Sequence, residues 1–524
     1  MQAPYSRTYF DLLCEQSARA GSAPCVISRE GVLTYAEFEA RARRAAGVLR
    51  GLGIRRHDRV GLLCNNRREW LEICFGAHAL GAVLFPFSTW SRPAELAYLL
   101  DHSKPAVVAA LEQFGKQDFA ATLAAWAGRI LSLSSRAIGN GPVYFDLCAR
   151  TEPLDTLPPG EGASAQDDAF VLSTSGSSAQ PKAVRLKHCA LIENAFNIGE
   201  RQRLTPDDRV LVAPPLFWIY GCGNALLAAL THGSAVVLVD RFEPAEVLRL
   251  IEEHRCTSIY TLPAMTHALI SDPAFTRQRT SSVRTGLTIG SAEDVRLVAE
   301  TLGVPQICNI YGLTETYGNC CVTSCDAPLA ERMAGQGRPL PGVTLRIVHP
   351  QTREPLPSGQ IGEVEVAGYI TPGYFKPAAT DQVNSWTGDG FFRTRDLGSL
   401  GEGDTFHFAG RCSDIIKRAG INVSPSEIEA ALQLHPLVRQ AAVVGAPDKR
   451  RGELIFAFIV STADGSDIAE TLRRYCNERL SSYKVPDYFE LCDSLPITDT
   501  GKLARGVLRE RALRLMGSER QAGT

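Results

Sequence analysis

Apolar positions along the chain switch repeatedly between helical spacing and short unbroken runs. In "GVLTYAEFEARARRAAGVLRGLG" (31–53), Thr34 followed by Glu37 predicts a capping box, and the Gly residues near the end predict a helix stop. "RVGLLC" (59–64) then predicts a strand, 69–82 a helix, "VLFPF" a strand, 93–102 a helix and "AVVAAL" a strand. Such alternation is the pattern of α/β layering. The Pro/Gly-rich stretch 151–168 is aperiodic and predicts an exposed connection. After it the strand "AFVLST" runs into "STSGSSAQPKAV" (173–184), and 186–203 predict a helix. A second series follows: "RVLVAPPL" as a strand, 222–232 as a helix, "SAVVLVD" as a strand, 244–254 as a helix and "TSIYTLP" as a strand.

From about residue 340 the texture changes to short antiparallel strands with Gly turns, "VTLRIVH", "IGEVEVAGY" and "TFHFAG". The final hundred or so residues predict a small α/β unit. It has helices over 425–434 and 467–480, strands "QAAVVGA" and "ELIFAFIV", and a disordered tail at 517–524.

Composition narrows the partners. The chain has 524 residues, 45% hydrophobic and 21% charged, with a formal net charge of -2. That balance gives no general attraction to nucleic acid or to anionic membranes. No apolar run is long enough to predict a membrane span, and the N-terminus lacks an apolar core of signal-peptide type. Fifteen Cys in a chain of this size predict reduced core thiols and a cytoplasmic location. Cys308, Cys320, Cys321 and Cys325 do not form the paired knuckles of a zinc site, so packing is the expected role.

The segment at 173–184 sets hydroxyls around Gly176 and adds Lys182, which suits an anion, but it is not the common P-loop. It is the first of an ordered series. "PPLFWIYG" (214–221), "NIYGLTE" (309–315), "GQGRPLPGV" (335–343) and "IGEVEVAGYITPGYFKPAAT" (361–380) follow. "FFRTRDLG" (391–398), "GRCSDIIKRAGINVSPSEIE" (410–429) and "LPITDTGKLAR" (495–505) complete it. With these segments in this order, the chain resembles the adenylate-forming enzymes: acyl-CoA synthetases, adenylation domains and luciferases. The resemblance runs from about residue 30 to 505.

The resemblance implies an α/β fold in two domains. Residues 1–410 would form a large, multi-layered ATP- and acid-binding domain of α/β subdomains with a small β-rich subdomain. Residues 411–524 would form a small mobile α+β domain, hinged near 411–413. It also implies two half-reactions: an acid and ATP give acyl-AMP and pyrophosphate, and a thiol then takes the acyl group.

The site residues follow by matching. Thr174, Ser175, Gly176, Ser177, Ser178 and Lys182 match the segment around the β- and γ-phosphates. Gly290, Ser291 and Ala292 match the backbone between adenine and the acyl pocket, and Tyr311 the residue stacked near adenine. Thr314 matches an α-phosphate contact, and Glu315 the ligand of Mg2+. Asp396 matches the carboxylate on the ribose hydroxyls, and Arg411 a further ribose contact. Lys502 matches the lysine that bridges the acid carboxylate and the phosphates. Gly420 is expected along the pantetheine path of CoA, with Lys449, Arg450 and Arg451 near the CoA phosphates. Trp218, Tyr220, Gly290 and Gly312 are expected at the acid.

Four positions depart from the family pattern: Ala179 and Ala183 stand where Gly is common, Arg395 replaces the Gly of Thr-Gly-Asp, and Ser413 replaces Asp or Lys. Gly312 beside the Thr-Glu pair makes acetate a poor fit, and "FWIYG" offers no charged partner for an amino acid's ammonium. The expected reaction is therefore ligation of an aromatic or medium-chain acid to CoA, using ATP and Mg2+. Two alternatives stay open at this point: loading of a carrier protein, and a nucleotide-binding regulatory homologue without catalysis. The sequence does not fix the oligomeric state.

Overall fold

The apolar runs around Val60 and Leu84 become neighbouring parallel strands, Arg59–Leu63 and Val83–Phe87, followed by the helices Arg68–Ala79 and Pro93–Ser103. The structure, a computed structural model, describes residues 7–156, 161–174, 182–377, 385–412, 414–418, 421–448, 451–463, 467–498 and 503–522. Packing divides the chain into two compact units, Met1–Leu345 with Val366–Phe392, and Arg346–Glu365 with Arg393–Thr524.

The first unit holds a six-stranded and a nine-stranded sheet. In the larger sheet Gln306–Tyr311, Thr285–Thr288, Ser258–Tyr260, Arg209–Val212, Ala235–Leu238 and Pro24–Ser28 are neighbours in that order and run parallel. Their carboxyl ends therefore share one sheet edge, where parallel α/β sheets place ligands. Helices flank the sheet because their apolar faces bury. In Pro244–His254 the buried residues are Val247, Leu248, Leu250 and Ile251, the stripe of an amphipathic helix. The capping box at Thr34 is present, with the Thr34 N–H donating to Glu37 Oε2 at 2.8 Å and the Glu37 N–H to Thr34 Oγ1 at 3.2 Å.

One expectation is corrected here. The segment after 181 does not pass from loop to helix. Lys182–Lys187 is a strand, paired antiparallel with Asp168–Thr174, and the helix is His188–Gln202. Ala183, Val184 and Leu186 are buried, so this edge strand closes the sheet before the helix begins. The stretch 175–181 thus joins two strands, and no helix N-terminus follows it directly.

Two of the buried histidines of this unit pack against each other. His78 and His188 stand edge to face at 4.7 Å between ring centroids, with Tyr9 4.8 Å from His78. His78 Nε2 lies 2.9 Å from the Ala169 carbonyl oxygen, as a neutral donor requires. Burial lowers His78 to about 4 and holds His188 well below the usual value. The unfolded chain then binds more protons, so stability falls as pH drops below about 6.5. Relative to neutral pH, His78 alone should cost about 2 kcal/mol at pH 5. Urea unfolding from pH 7 to 5 is expected to show that loss. His78→Gln should be less stable at pH 7 but show a shallower slope over the same interval.

In the second unit Phe406–Arg411 pairs antiparallel with Phe392–Leu400. The buried Glu363 and Glu365 meet the guanidinium of Arg353, and Glu365 also meets Arg346 at 2.6 Å. A second sheet joins Val438–Asp448, Gly452–Ser461, Ile416–Arg418, Ile421–Val423 and Tyr488–Leu491. The helix Arg505–Ala522 buries Leu508 and Ala512 against it. The helix runs to Ala522, over the first part of the stretch expected as a tail.

Among the described residues no helix is long and apolar enough to cross a membrane.

Candidate active site

Glu315 sits just past the carboxyl end of the Gln306–Tyr311 strand, on a short turn at Thr314–Thr316. The turn is tied to itself. The Leu313 N–H donates to Thr316 Oγ1 at 3.0 Å, and the Gly318 N–H to the Leu313 carbonyl at 2.9 Å. Asn194 and Asn224 each donate from Nδ2 to the Tyr317 carbonyl at 3.0 Å, holding that residue at φ 58. Left-handed backbone at a bulky residue persists only where surroundings enforce it. Gly312 has a packing reason: a Cβ there would stand 2.0 Å from the Gly318 carbonyl oxygen.

A chain of contacts links this turn to the edge hairpin. The Tyr374 hydroxyl donates to Glu315 Oε1 at 3.0 Å, and Lys182 Nζ lies 5.1 Å from the centre of the Tyr374 ring. Lys182 is the register partner of Thr174, whose Oγ1 donates to the Lys182 carbonyl at 3.3 Å. Thr174, Lys182 and Glu315 are therefore brought into one array. Ala183 has ordinary extended backbone, so alanine meets no φ restriction there.

Gly290, Ser291 and Ala292 follow the next strand, Thr285–Thr288, at the same edge. Ser291 caps the helix Ala292–Arg296, with its Oγ donating to Asp294 Oδ2 at 2.7 Å, so this side chain is engaged and the backbone is the usable surface. A Cβ at Gly290 would lie 2.5 Å from Asp294 Oδ2. Tyr311 is buried at the strand end.

Trp218 and Tyr220 follow the Arg209–Val212 strand. Trp218 packs edge to face on Trp90 at 4.9 Å and on Phe217 at 5.8 Å. Tyr220 is different. Its hydroxyl, 3.2 Å from the Thr261 carbonyl and 3.0 Å from that of Leu287, is bound at two strand ends, and burial raises its pKa well above the usual value. Only its ring is left for a ligand.

In the second unit Asp396 and Arg411 are register partners, with Nε 3.3 Å from Asp396 Oδ1. Asp396 is buried and Arg411 half exposed. Arg395 holds φ 63, the left-handed region that the family's Gly adopts freely. Arg451, from the expected CoA cluster, pairs with Asp487 at 3.1 Å. Ser175, Gly176, Ser177, Ser178, Ala179, Ser413, Gly420, Lys449, Arg450 and Lys502 lie outside the described residues.

Cys308, Cys320, Cys321 and Cys325 are buried free thiols, and Cys308 Sγ approaches the Arg201 carbonyl at 3.7 Å. A cavity of about 430 Å³ is lined by His57, Arg59, Asp168, Arg185 and Phe375, but it shares only Tyr374 with the Lys182–Glu315 array.

The family comparison decides the class. The model described as AMP-binding enzyme matches residues 13–375, and that described as AMP-binding enzyme C-terminal domain matches 427–502. The chain belongs to the AMP-binding enzyme family. Within it, the chain is 32% identical over 511 residues to the putative acyl-CoA synthetase YngI of Bacillus subtilis, covering 92% of each chain. It is 33% identical to a feruloyl-CoA synthase of Amycolatopsis sp, covering 91% of this chain and 94% of that one. The ATP-bound MatB from Rhodopseudomonas palustris superposes with a TM-score of 0.84 at 27% identity, over 96% of this chain and 98% of that one.

Two side chains of this AMP-binding enzyme escape sequence reasoning. Tyr374 lies inside "GYFKP", but its partner Glu315 is 59 positions away. Trp90 follows a buried parallel strand, which is the available signal for a residue at a ligand edge.

Proposed function

We propose that this chain is an AMP-forming acid–CoA ligase. It joins a carboxylic acid to the α-phosphorus of ATP as pyrophosphate leaves, then passes the acyl group to the thiol of CoA as AMP leaves. The observation that carries this reading is the linked set Thr174–Lys182–Tyr374–Glu315, with an ammonium and a carboxylate on one tyrosine at the ligand edge of the sheet. Lys182 supplies positive charge to the departing phosphates and follows the hydroxyl-rich 175–178 segment in the sequence.

Glu315 fits Mg2+: it is a half-buried carboxylate whose Oε1 accepts from a phenol that orients it. ATP oxygens complete such a shell, so one carboxylate suffices. When bound, Mg2+ supplies charge neutralisation on the phosphates. Thr314 is assigned to the α-phosphate, Tyr311 and the 290–292 backbone to the adenine side, and Asp396 with Arg411 to the ribose. Lys502 is assigned to the acid carboxylate, and Gly420, Lys449 and Arg450 to CoA. A pivot at 411–413, separating 1–410 from 411–524, belongs to the same proposal. So does a cytoplasmic location, which the fifteen free cysteines support.

For the acid, the edge-to-face group Trp90, Phe217 and Trp218 favours an aromatic or medium-chain substrate. The aromatic acid named for the feruloyl-CoA synthase relative agrees with the aromatic choice. Trp218→Ala is expected to lower kcat/KM for the preferred acid by about 10- to 100-fold with the KM for ATP unchanged. Kinetics with the acid and ATP varied separately check this. The function itself is tested by incubating a panel of acids with ATP, Mg2+ and CoA and detecting the thioester by mass spectrometry. At least one aromatic or medium-chain acid should give a CoA thioester. Adenylate without thioester for every accepted acid would contradict the CoA assignment.

A further inference from the structure

We infer that Tyr374 is a positioning residue that holds Glu315 and Lys182 in their working arrangement; this rests on the roles proposed above for those two residues. The hydroxyl donates to Glu315 Oε1 at 3.0 Å while Lys182 Nζ stands 5.1 Å from the ring centre. One rigid side chain thus addresses an anion with its polar end and a cation with its π face. A carboxylate with one oxygen fixed by a donor presents its other oxygen in a defined direction, which a cation site needs.

The backbone around Tyr374 is anchored independently of its hydroxyl. The Thr371 N–H donates to the Glu315 carbonyl at 2.7 Å, and the Phe375 N–H to the Ala183 carbonyl at 2.7 Å. The Arg185 N–H donates to the Gly373 carbonyl at 3.2 Å, and Tyr374 forms an antiparallel bridge with Val184. The segment 371–375 is therefore tied to both the Glu315 turn and the Lys182 strand. Trp386 packs edge to face on the ring at 5.6 Å and fixes its plane. Tyr374 itself is buried to 7% exposure, so the ring is held by packing even when the hydroxyl is removed.

Two variants separate the contributions. Tyr374→Phe keeps the ring and its Trp386 contact but deletes the donor. Tyr374→Leu removes the platform under Lys182 as well. Two readouts are used: the Mg2+ concentration for half-maximal acid-dependent ATP–pyrophosphate exchange, and the Kd of MgATP by calorimetry without acid. Tyr374→Phe should raise both by about tenfold, with the KM for the acid unchanged. Tyr374→Leu should weaken MgATP by a further several-fold. Wild-type values of both readouts in Tyr374→Phe overturn the inference. So does a lowered Tm with an unchanged Mg2+ dependence, which would make the residue structural only. Failure of the reaction assignment looks different, because wild type itself would then show no acid-dependent exchange.

Discussion

Lys502→Ala is expected to lower acid-dependent adenylate formation by about a thousandfold, while thioester formation from supplied acyl-AMP stays within about tenfold of wild type. The reason is charge. The acid carboxylate and the triphosphate are both anionic, and attack at the α-phosphorus forces them together. A lysine between them is worth most as the transition state forms. In the second half-reaction the acyl group is already joined to AMP and no carboxylate needs shielding, so the same side chain has little left to do. Separate assays of the half-reactions, with pyrophosphate release for the first and thiolysis of synthetic acyl-AMP for the second, measure the split. Equal losses in both would contradict the role given to Lys502.

Glu315→Gln should reduce adenylation by about a hundredfold or more and raise the Mg2+ requirement. Glutamine keeps the shape and can still accept the Tyr374 hydroxyl on its amide oxygen, so the turn held by Asn194 and Asn224 should survive. What is lost is the negative charge. An unchanged Tm with a raised Mg2+ half-saturation is the expected signature. Normal Mg2+ dependence in a folded Glu315→Gln protein would remove Glu315 as the metal carboxylate. Tyr374→Phe is the milder form of the same lesion, since it leaves the charge and disturbs only its direction.

What the sequence showed, and what it hid, divides along physical lines. Local signals were readable. The Thr34–Glu37 box lies within one turn, and the stripe Val247, Leu248, Leu250 and Ile251 lies within one helix. The parallel strands appeared as unbroken apolar runs because both faces are covered. The hairpin strand Lys182–Lys187 was hidden because "KAVRLK" is too short for its alternation to stand out beside the helix that follows. The Arg505–Ala522 helix was hidden by its polar, Arg-rich composition, although Leu508 and Ala512 keep a four-residue spacing.

The candidate site shows the same division. Residue types at motif positions pointed to Lys182, Glu315, Asp396 and Lys502. Partnerships across distant segments did not show. Nothing in "GYFKP" announces a hydrogen bond to Glu315, and nothing in "FWIYG" says that the Tyr220 hydroxyl is taken by two carbonyls. Arg395 is the intermediate case. Its departure from the family's Gly was visible, and φ 63 gives it a physical meaning, since a side chain there carries about 1 kcal/mol of backbone strain.

The proposed task of the Lys182–Tyr374–Glu315 array is adenylation of a carboxylic acid. Acid-dependent ATP–pyrophosphate exchange, measured across a panel of aromatic and medium-chain acids in the presence of Mg2+, tests it most directly. Label is expected to enter ATP only when an accepted acid is present, with no CoA required. ATP binding without any acid-dependent exchange across the panel would contradict it and favour a regulatory nucleotide-binding protein.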